Sequence, residues 1–442
     1  METEERGFAV GKRQTKHASK AEQTRESLLR AGEATFSERG YHVASVSEIC
    51  QRAGLANGTF YRYFDNKEEI FVALVERLQV EMRQRIERVT DGVGGSRDTL
   101  IRAYRDVLAY VEEHSALYLV GRGAEAMQMG IHRHFRANLA EALQQIIQIG
   151  IQTGELRPID PQVAAYAVLG IIEFTVMRYI LWEPDALSES VLQTLDAMIL
   201  RGFDSGAAPS PPRAAIEAST APDVVEKVEE LHGGEATKQA LLAAAERLFG
   251  QAGFHRTAIS GITYLAGVAQ GTFYLHYPSK VAVFVELVRE INRRFRVDEQ
   301  RALAGLEDRR DIERVGFRTF FRFIGLHRGA YRILREAELV DFDTGRWYYE
   351  RLAKGYVRGL RRGMERGEIR ALALEPLAYA LLGIGHSVAL WALSNGSDGM
   401  VTDDTLEGLL DILQHGISFP VASSIGESRR ERSTDLPLPD GT

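Results

Sequence analysis

The sequence predicts an all-α protein made of two tandem copies of one repeat. Residues 24–71 and 237–284 align without a gap at a constant offset of 213 residues, with 19 identities in 48 positions. Unrelated segments of that length share roughly three identities by composition alone. The segments after each copy are apolar at helical spacing and lack the alternation of strands. The same offset pairs His114 with His327 and Gly154 with Gly367, so a whole domain is duplicated.

Composition indicates a cytoplasmic protein that is not an enzyme. The 442 residues include a single cysteine, Cys50, which excludes an intrachain disulfide. The first twenty residues are polar and mixed in charge, unlike a secretory signal. The eleven histidines are scattered, and no acidic, histidine or nucleophile spacing predicts a metal site or catalysis. We therefore expect no cofactor.

Glycines, prolines and charge runs set the expected domain boundaries. We expect a disordered basic arm over 1–20 and a Gly/Ala/Pro-rich linker over 204–234, with a disordered tail over 419–442. The arm is either a solvated tail or a minor-groove contact. Each repeat then divides into a three-helix motif and a longer helical domain. The ranges are 21–66 and 67–203 in the first repeat, and 235–279 and 280–418 in the second.

One apolar run in each repeat is long enough to suggest a membrane span. Residues 163–182 contain Glu173 and Arg178, and the matching run from 377 to 393 contains His386. Charged groups in a bilayer are costly. We therefore expect no membrane and interpret both runs as helices buried in a core or at a subunit contact.

The repeated motif has the features of a helix-turn-helix. The first helix of each copy stops at Gly40 or Gly253, where positive φ suits glycine. Ser45 and the glutamate three residues later predict a capping box at the second helix. Gly54 makes the turn to a third helix that begins near Asn57. In a helix-turn-helix the helix after the turn, here the third helix, enters the DNA major groove. This groove is wide enough for a helix, and its base edges distinguish all the base pairs.

Residues on the exposed side of this motif are candidate DNA contacts. Asn57 and Gln270 are the expected base readers, because amide side chains pair with adenine. Since they differ, we expect two different half-sites. Small residues beside them allow close approach of the backbone, and hydroxyls and cations face the phosphates. The full set is Ser45, Ser47, Ala56, Asn57, Gly58, Thr59, Tyr61, Tyr63, Lys67, Thr257, Ser260, Ala269, Gln270, Gly271, Thr272, Tyr274, His276 and Lys280.

These motifs resemble the TetR family of bacterial transcriptional regulators. The pattern is AGxxxGTFYxYFxxK in the first copy and AGxxxGTFYxHYxxK in the second. The resemblance implies a three-helix DNA-binding domain followed by a helical domain that binds a ligand and dimerises. By position it implies phosphate contacts from Tyr61, Tyr63 and Lys67. In the second copy it implies the same for Tyr274, His276 and Lys280.

The second copy departs from the first at several positions. Ala258 replaces the capping Ser45, so we expect Thr257 to cap one position earlier, and Gly261 falls inside the helix. Leu275 replaces Arg62. The local net charge is −1 in the first motif and +3 in the second. The second motif is therefore expected to be less rigid or less sequence-selective, but still able to bind DNA.

Aromatic residues at helical spacing in both helical domains are candidate linings for a small apolar effector. Glu173 and His386 lie 213 positions apart in the most apolar helices, where they line pockets, face solvent or pair with each other. Plain core packing is the alternative for the aromatic residues. The candidates are Tyr104, Tyr118, Phe135, Tyr166, Glu173, Phe174, Phe317, Phe321, Tyr331, Trp347, Tyr348 and His386.

The expected partners are a double-stranded DNA operator and an effector. One chain supplies two motifs, so we expect an intrachain pseudo-dimer on an asymmetric operator, with a chain homodimer as the other possibility. Its interface would join helices near 163–182 and 186–202 to helices near 375–394 and 403–416. Repression relieved by ligand is the expected mechanism. The alternative is a ligand-sensing or dimerisation protein in which only the first motif reads DNA.

Overall fold

The computed structural model describes residues 2–90, 94–126, 130–184, 186–201, 233–395 and 401–416. Every regular element in these ranges is helical, as the sequence predicts. Most of the predicted linker and all of the predicted tail lie outside the described residues.

The first repeat contributes nine described helices. They are α1 (Glu2–Val43), α2 (Val46–Ala53), α3 (Asn57–Phe60), α4 (Lys67–Thr90), α5 (Ser96–Glu113), α6 (Ser115–Ala126), α7 (Gly130–Gln152), α8 (Pro161–Val176) and α9 (Glu189–Arg201). A π-helical segment, Met177–Trp182, continues α8.

The second repeat contributes the equivalent nine described helices. They are α10 (Gly234–Ala252), α11 (Ile259–Leu265), α12 (Gln270–His276), α13 (Lys280–Ala302), α14 (Arg309–Leu326), α15 (Arg328–Val340), α16 (Phe342–Glu365), α17 (Leu374–Asn395) and α18 (Asp403–His415). The pairs α4 and α13, and α5 and α14, each begin 213 residues apart. The duplication therefore holds at the level of structure along the whole repeat.

The start of α1 corrects one prediction. The helix runs back to Glu2, where the sequence predicted a disordered arm over 1–20. Charge and polarity suggested disorder, but the segment is rich in Ala, Glu, Lys, Arg and Gln and contains no proline. These residue types have high intrinsic helix propensity, so the segment extends the helix that follows it.

The predicted turn glycines are confirmed, and at Gly40 the backbone leaves the helical region, so that α1 is broken there. Gly40 and Gly253 have φ of 71° and 83°, and Gly54 and Gly267 have φ of 67° and 69°. Side chains with a Cβ rarely adopt these angles. The helices on either side of each turn therefore meet at a fixed angle.

The two repeats pack against each other along α8 and α17. Both helices are almost wholly buried, and each has the length and apolarity of a membrane span while packing inside the protein. They cross at Gly170 and Gly383, which are equivalent positions. A Cβ added to either glycine would overlap the carbonyl oxygen of the other. Backbone thus meets backbone at this crossing, which only glycine on both sides allows.

Helices α9 and α18 complete this contact and polar groups surround it. Helix α9 packs against α17 and α18, and α18 also packs against α8, so the four helices predicted to meet do so. The Arg178 guanidinium lies 2.8 Å from Glu375 of the other repeat. Arg157 donates to the carbonyl oxygen of Gly416 at 2.8 Å. Such pairs add little net stability but disfavour any other register.

A larger residue at the crossing should separate the repeats. We expect Gly170→Val to lower the free energy of unfolding by about 1–3 kcal/mol or more, the usual cost of overpacking. Chemical denaturation followed by circular dichroism measures it. The control is Gly408→Ala in α18, where an added Cβ meets nothing within 4 Å and helix propensity improves. An unchanged midpoint for Gly170→Val would contradict this account of the crossing.

Candidate nucleic-acid interface

The first three-helix domain is held by a small aromatic core. Phe60 and Ile49 are fully buried, and the Phe36 and Phe71 rings meet edge to face with centroids 5.3 Å apart. Phe60 anchors the short α3 to this core, so α3 presents its other side to solvent. The second domain repeats the arrangement around Phe249, Phe273 and Phe284.

Helix α2 begins with the predicted capping box. The Ser45 Oγ accepts a hydrogen bond from the Glu48 amide, and the Ser45 amide donates to the Glu48 carboxylate at 3.2 Å. In the second repeat α11 begins after Ala258 with no side-chain cap. The predicted cap by Thr257 is wrong, because its hydroxyl donates to the carbonyl oxygen of Gly253 at 2.8 Å. Thr257 is also buried, so its side chain is not available to DNA.

Most of the predicted DNA contacts lie on the accessible side of the two domains. Tyr61 and Tyr274 are 59% and 54% exposed, so both hydroxyls can reach a phosphate. Four residues are half-buried: Thr59, Tyr63, Thr272 and His276. The exposed members are Ser45, Ser47, Ala56, Asn57, Gly58, Tyr61, Ser260, Ala269, Gln270, Gly271 and Tyr274.

Lys67 and Lys280 point inward rather than toward a phosphate. The Lys67 Nζ donates to the carbonyl oxygens of Tyr41 at 2.7 Å and Ala44 at 2.8 Å. Lys280 makes the equivalent bonds to Phe254 at 2.9 Å and Thr257 at 2.8 Å. Burial lowers the pKa of both ammonium groups. This corrects their predicted role, since each lysine ties the loop after the first helix to the start of the fourth.

The two DNA-binding domains touch at equivalent residues. The rings of His42 and His255, which are 213 positions apart, stack with centroids 4.0 Å apart and planes at 28°. Sequence reasoning missed this pair, although the shared histidine in the alignment was a signal. A contact between equivalent residues lies on the local twofold relation of the repeats. The stack therefore fixes how the two domains sit side by side.

The stack is surrounded by positive groups. Burial lowers the pKa of His255 to about 4, with further lowering by His42 and Lys280. Burial also lowers the pKa of His42, followed by the charge of Lys67. Both rings are therefore neutral near pH 7. The charge that acts on each ring from its own domain is a lysine, Lys67 for His42 and Lys280 for His255.

The second repeat contains a cavity of about 490 Å³ between α13, α14, α16 and α17. Among the predicted pocket residues, Phe317 lines it. A space of about 40 Å³ between the repeats is lined by Tyr118, Phe135, Glu173, Phe174 and His386. This places Glu173 and His386 at the same small space. Glu173 forms an ion pair with Arg136, and the His386 Nδ1 is 2.7 Å from the Tyr331 hydroxyl.

The other predicted pocket residues line neither cavity. Tyr104 is fully buried, and its hydroxyl donates a hydrogen bond to Asp196. The Tyr331 hydroxyl is hydrogen-bonded to the His386 ring. Helical spacing of aromatic residues predicts that they are buried, but core residues and pocket residues show the same spacing. The residues that line neither of these two cavities are Tyr104, Tyr166, Phe321, Tyr331, Trp347 and Tyr348.

Comparison with known proteins decides the family. The description "Bacterial regulatory proteins, tetR family" matches residues 28–74 and 241–287, and "Tetracyclin repressor-like, C-terminal domain" matches 100–200. The HTH-type transcriptional regulator YdgC of Bacillus subtilis is 30% identical over 42% of this chain and 98% of its own length. The chain belongs to the TetR family. It is thus a DNA-binding transcriptional regulator with the family's helix-turn-helix written twice.

Other similar proteins also match about one repeat's length of this TetR-family chain. The fatty acid metabolism regulator protein of Bacillus subtilis is 28% identical over 38% of this chain and 91% of its own length. A crystal structure of the FadR regulator of Bacillus subtilis with stearoyl-CoA is 25% identical over 39% of this chain and 97% of its own, with a TM-score of 0.35. The chain therefore has the length of two such relatives.

The histidine stack predicts a pH dependence. The folded pKa of His255 lies below the value of about 6.5 for an unfolded chain, so the unfolded state binds more protons between them. Stability should be full above pH 6.5 and fall as the pH drops toward 4. We expect the double variant His42→Phe and His255→Phe, which keeps two stacked rings, to flatten this slope in denaturant unfolding. His415→Gln, at a histidine in α18 outside the stack, should retain the slope, and an unaltered slope in the double variant would refute the assignment.

Proposed function

We propose that one chain acts as a pseudo-dimeric repressor on an asymmetric operator and that a small effector relieves repression. Dimeric helix-turn-helix proteins bind DNA with two recognition helices at a fixed spacing. This chain carries two DNA-binding domains, here called the first head (residues 21–66) and the second head (residues 235–279). The contact between α8 and α17 carries the proposal, because it joins the two helical domains by the helices expected to dimerise.

Two contacts support a fixed relation between the heads. The α8–α17 crossing holds the helical domains, and the His42–His255 stack holds the DNA-binding domains. These contacts lie at separate levels of the molecule. Two heads held in a fixed relation lose less conformational entropy on binding DNA than two heads joined only by a flexible segment.

The heads differ where bases are read. Asn57 begins α3 and Gln270 begins α12, and both side chains are exposed. Their amide groups differ in reach by one methylene. The first head also has a capped α2, whereas α11 has no side-chain cap and contains Gly261. These differences favour an operator with two unlike half-sites.

The effector is proposed to act through α13. This helix begins at Lys280, which bonds to the loop of the second head, and its other end lines the cavity through Phe295 and Leu303. A ligand that moves α13 would also move the second head. The name of one relative, a fatty acid metabolism regulator protein, makes a lipid-like effector the first class to test.

A second candidate function is favoured by one observation. The second head exposes Tyr264 and Leu275, at 88% and 82%, where the first has Gln51 and Arg62. Fewer polar groups there weaken the case for phosphate contact. In this alternative only the first head reads DNA, and the second repeat serves dimerisation and ligand sensing.

Paired tyrosine variants separate these functions. On an operator selected by the wild-type chain from random DNA, we expect Tyr61→Ala and Tyr274→Ala each to weaken binding about tenfold, or ~1.4 kcal/mol. Each variant should lose footprint protection on its own half-site only. Both positions are exposed, so thermal stability should not change.

Unequal effects would decide for the alternative. If Tyr61→Ala abolishes binding while Tyr274→Ala binds and protects like the wild type, the second head does not read DNA. Two variants that both bind like the wild type would contradict the proposed interface altogether.

A further inference from the structure

The 490 Å³ cavity exists in the second repeat because glycines replace larger residues of the first. Five helical glycines line it on α14, α16 and α17. Gly363 is matched by Gly150, and at the positions equivalent to the other four the first repeat has two alanines and two isoleucines, all buried to 2% exposure or less. The pairs are Gly316 with Ala103, Gly355 with Ala142, Gly359 with Ile146, and Gly385 with Ile172.

Two of these glycines border open space. A Cβ added to Gly316 meets nothing within 4 Å, and one added to Gly355 meets only an Arg296 nitrogen at 3.9 Å. Glycine inside a helix costs about 1 kcal/mol relative to alanine. No close backbone contact explains the choice of glycine at these two positions. The open volume itself is the feature that they provide.

A row of arginines marks one rim of the cavity. Arg358, Arg362 and Arg366 are spaced one helical turn apart on α16, and all three are exposed. Arg366 donates to the Glu307 carbonyl oxygen at 2.9 Å. The side chains of Arg358 and Arg362 make no hydrogen bond or ion pair with any residue the structure describes. The first repeat has Gln145, Ile149 and Thr153 at these positions.

Inside the cavity the cations lie near carboxyl groups, with Arg296 close to Glu299. Arg309 is buried and forms an ion pair with Glu313, which is 1% exposed. Burial raises the pKa of the Glu313 and Glu299 carboxyls, and of the Tyr356 hydroxyl. An added anion beside these groups would be unfavourable. Next to them the walls are apolar, formed by Phe295, Leu303, Phe317, Phe320, Leu381 and Leu382.

We propose that each chain binds one amphiphile, in the second repeat only, with its apolar tail in this cavity and an anionic head group at Arg358 and Arg362. The inference deepens the proposed effector site and rests on it only for the consequence on DNA. Apolar burial supplies affinity, and unpaired guanidinium groups supply the charge selection. An effector would thus act on one head of the chain.

Three probes with one chain length test the ligand class. We expect isothermal titration of the full chain to give one site per chain for dodecanoate. Dodecanol should bind at least tenfold more weakly, and dodecylamine more weakly still. Two sites per chain, or tighter binding of dodecylamine, would overturn the proposal.

Two sets of variants test the location. Gly316→Leu with Gly355→Leu should fill the cavity and abolish dodecanoate binding, whereas Gly408→Leu in α18, where an added Cβ also meets nothing, should bind normally. Arg358→Gln with Arg362→Ile recreates the first repeat. It should lower dodecanoate affinity about tenfold and leave dodecanol affinity unchanged. Binding of dodecanoate by the filled variant with wild-type affinity would overturn the assignment.

A DNA readout separates the two proposals. If dodecanoate binds once per chain but leaves operator affinity unchanged, the site stands and relief of repression by this ligand fails. If operator binding is intact and no probe binds, the site fails and the DNA-binding proposal stands.

Discussion

The close crossing of α8 and α17 is the constraint on which the rest of the structure depends. Gly170 and Gly383 let two backbones meet, and this brings two helical domains together without a partner chain. Side chains on both helices then interdigitate, as in the Tyr166 and Trp391 rings with centroids 5.7 Å apart. Everything proposed about the paired DNA-binding domains requires this contact.

Duplication allowed the two repeats to diverge around this shared contact. The first kept a solid helical core, in which Ala103 and Ala142 are buried where Gly316 and Gly355 border open space in the second. The second gained a cavity and an arginine rim. Its head is also tied to α15, where the Phe254 amide donates to Glu336 at 2.8 Å. The equivalent of Glu336 in the first repeat is Gly123, which has no side chain to make such a bond. The second repeat thus has both the cavity and this additional bond to its DNA-binding domain.

Interactions between neighbouring residues made much of the fold predictable. Prediction of the site was limited because it depends on contacts between residues far apart in the sequence. The Ser45 cap and the turn glycines follow from neighbouring residues, so sequence sufficed. The inward bonds of Lys67 join residues 23 and 26 positions apart, and no spacing rule reveals them. The cavity lies beside glycines on three helices. In a sequence, a single glycine within a helix indicates only lower helix stability and does not indicate a cavity. Aromatic spacing therefore misidentified most of its lining.

The most direct test is the mass of the chain in solution with and without its selected operator, measured by analytical ultracentrifugation. The account predicts a 49.3 kDa monomer that binds one operator as a single chain, because both heads belong to it. Two chains on each operator would mean four heads at the site. That result would contradict the single-chain pseudo-dimer.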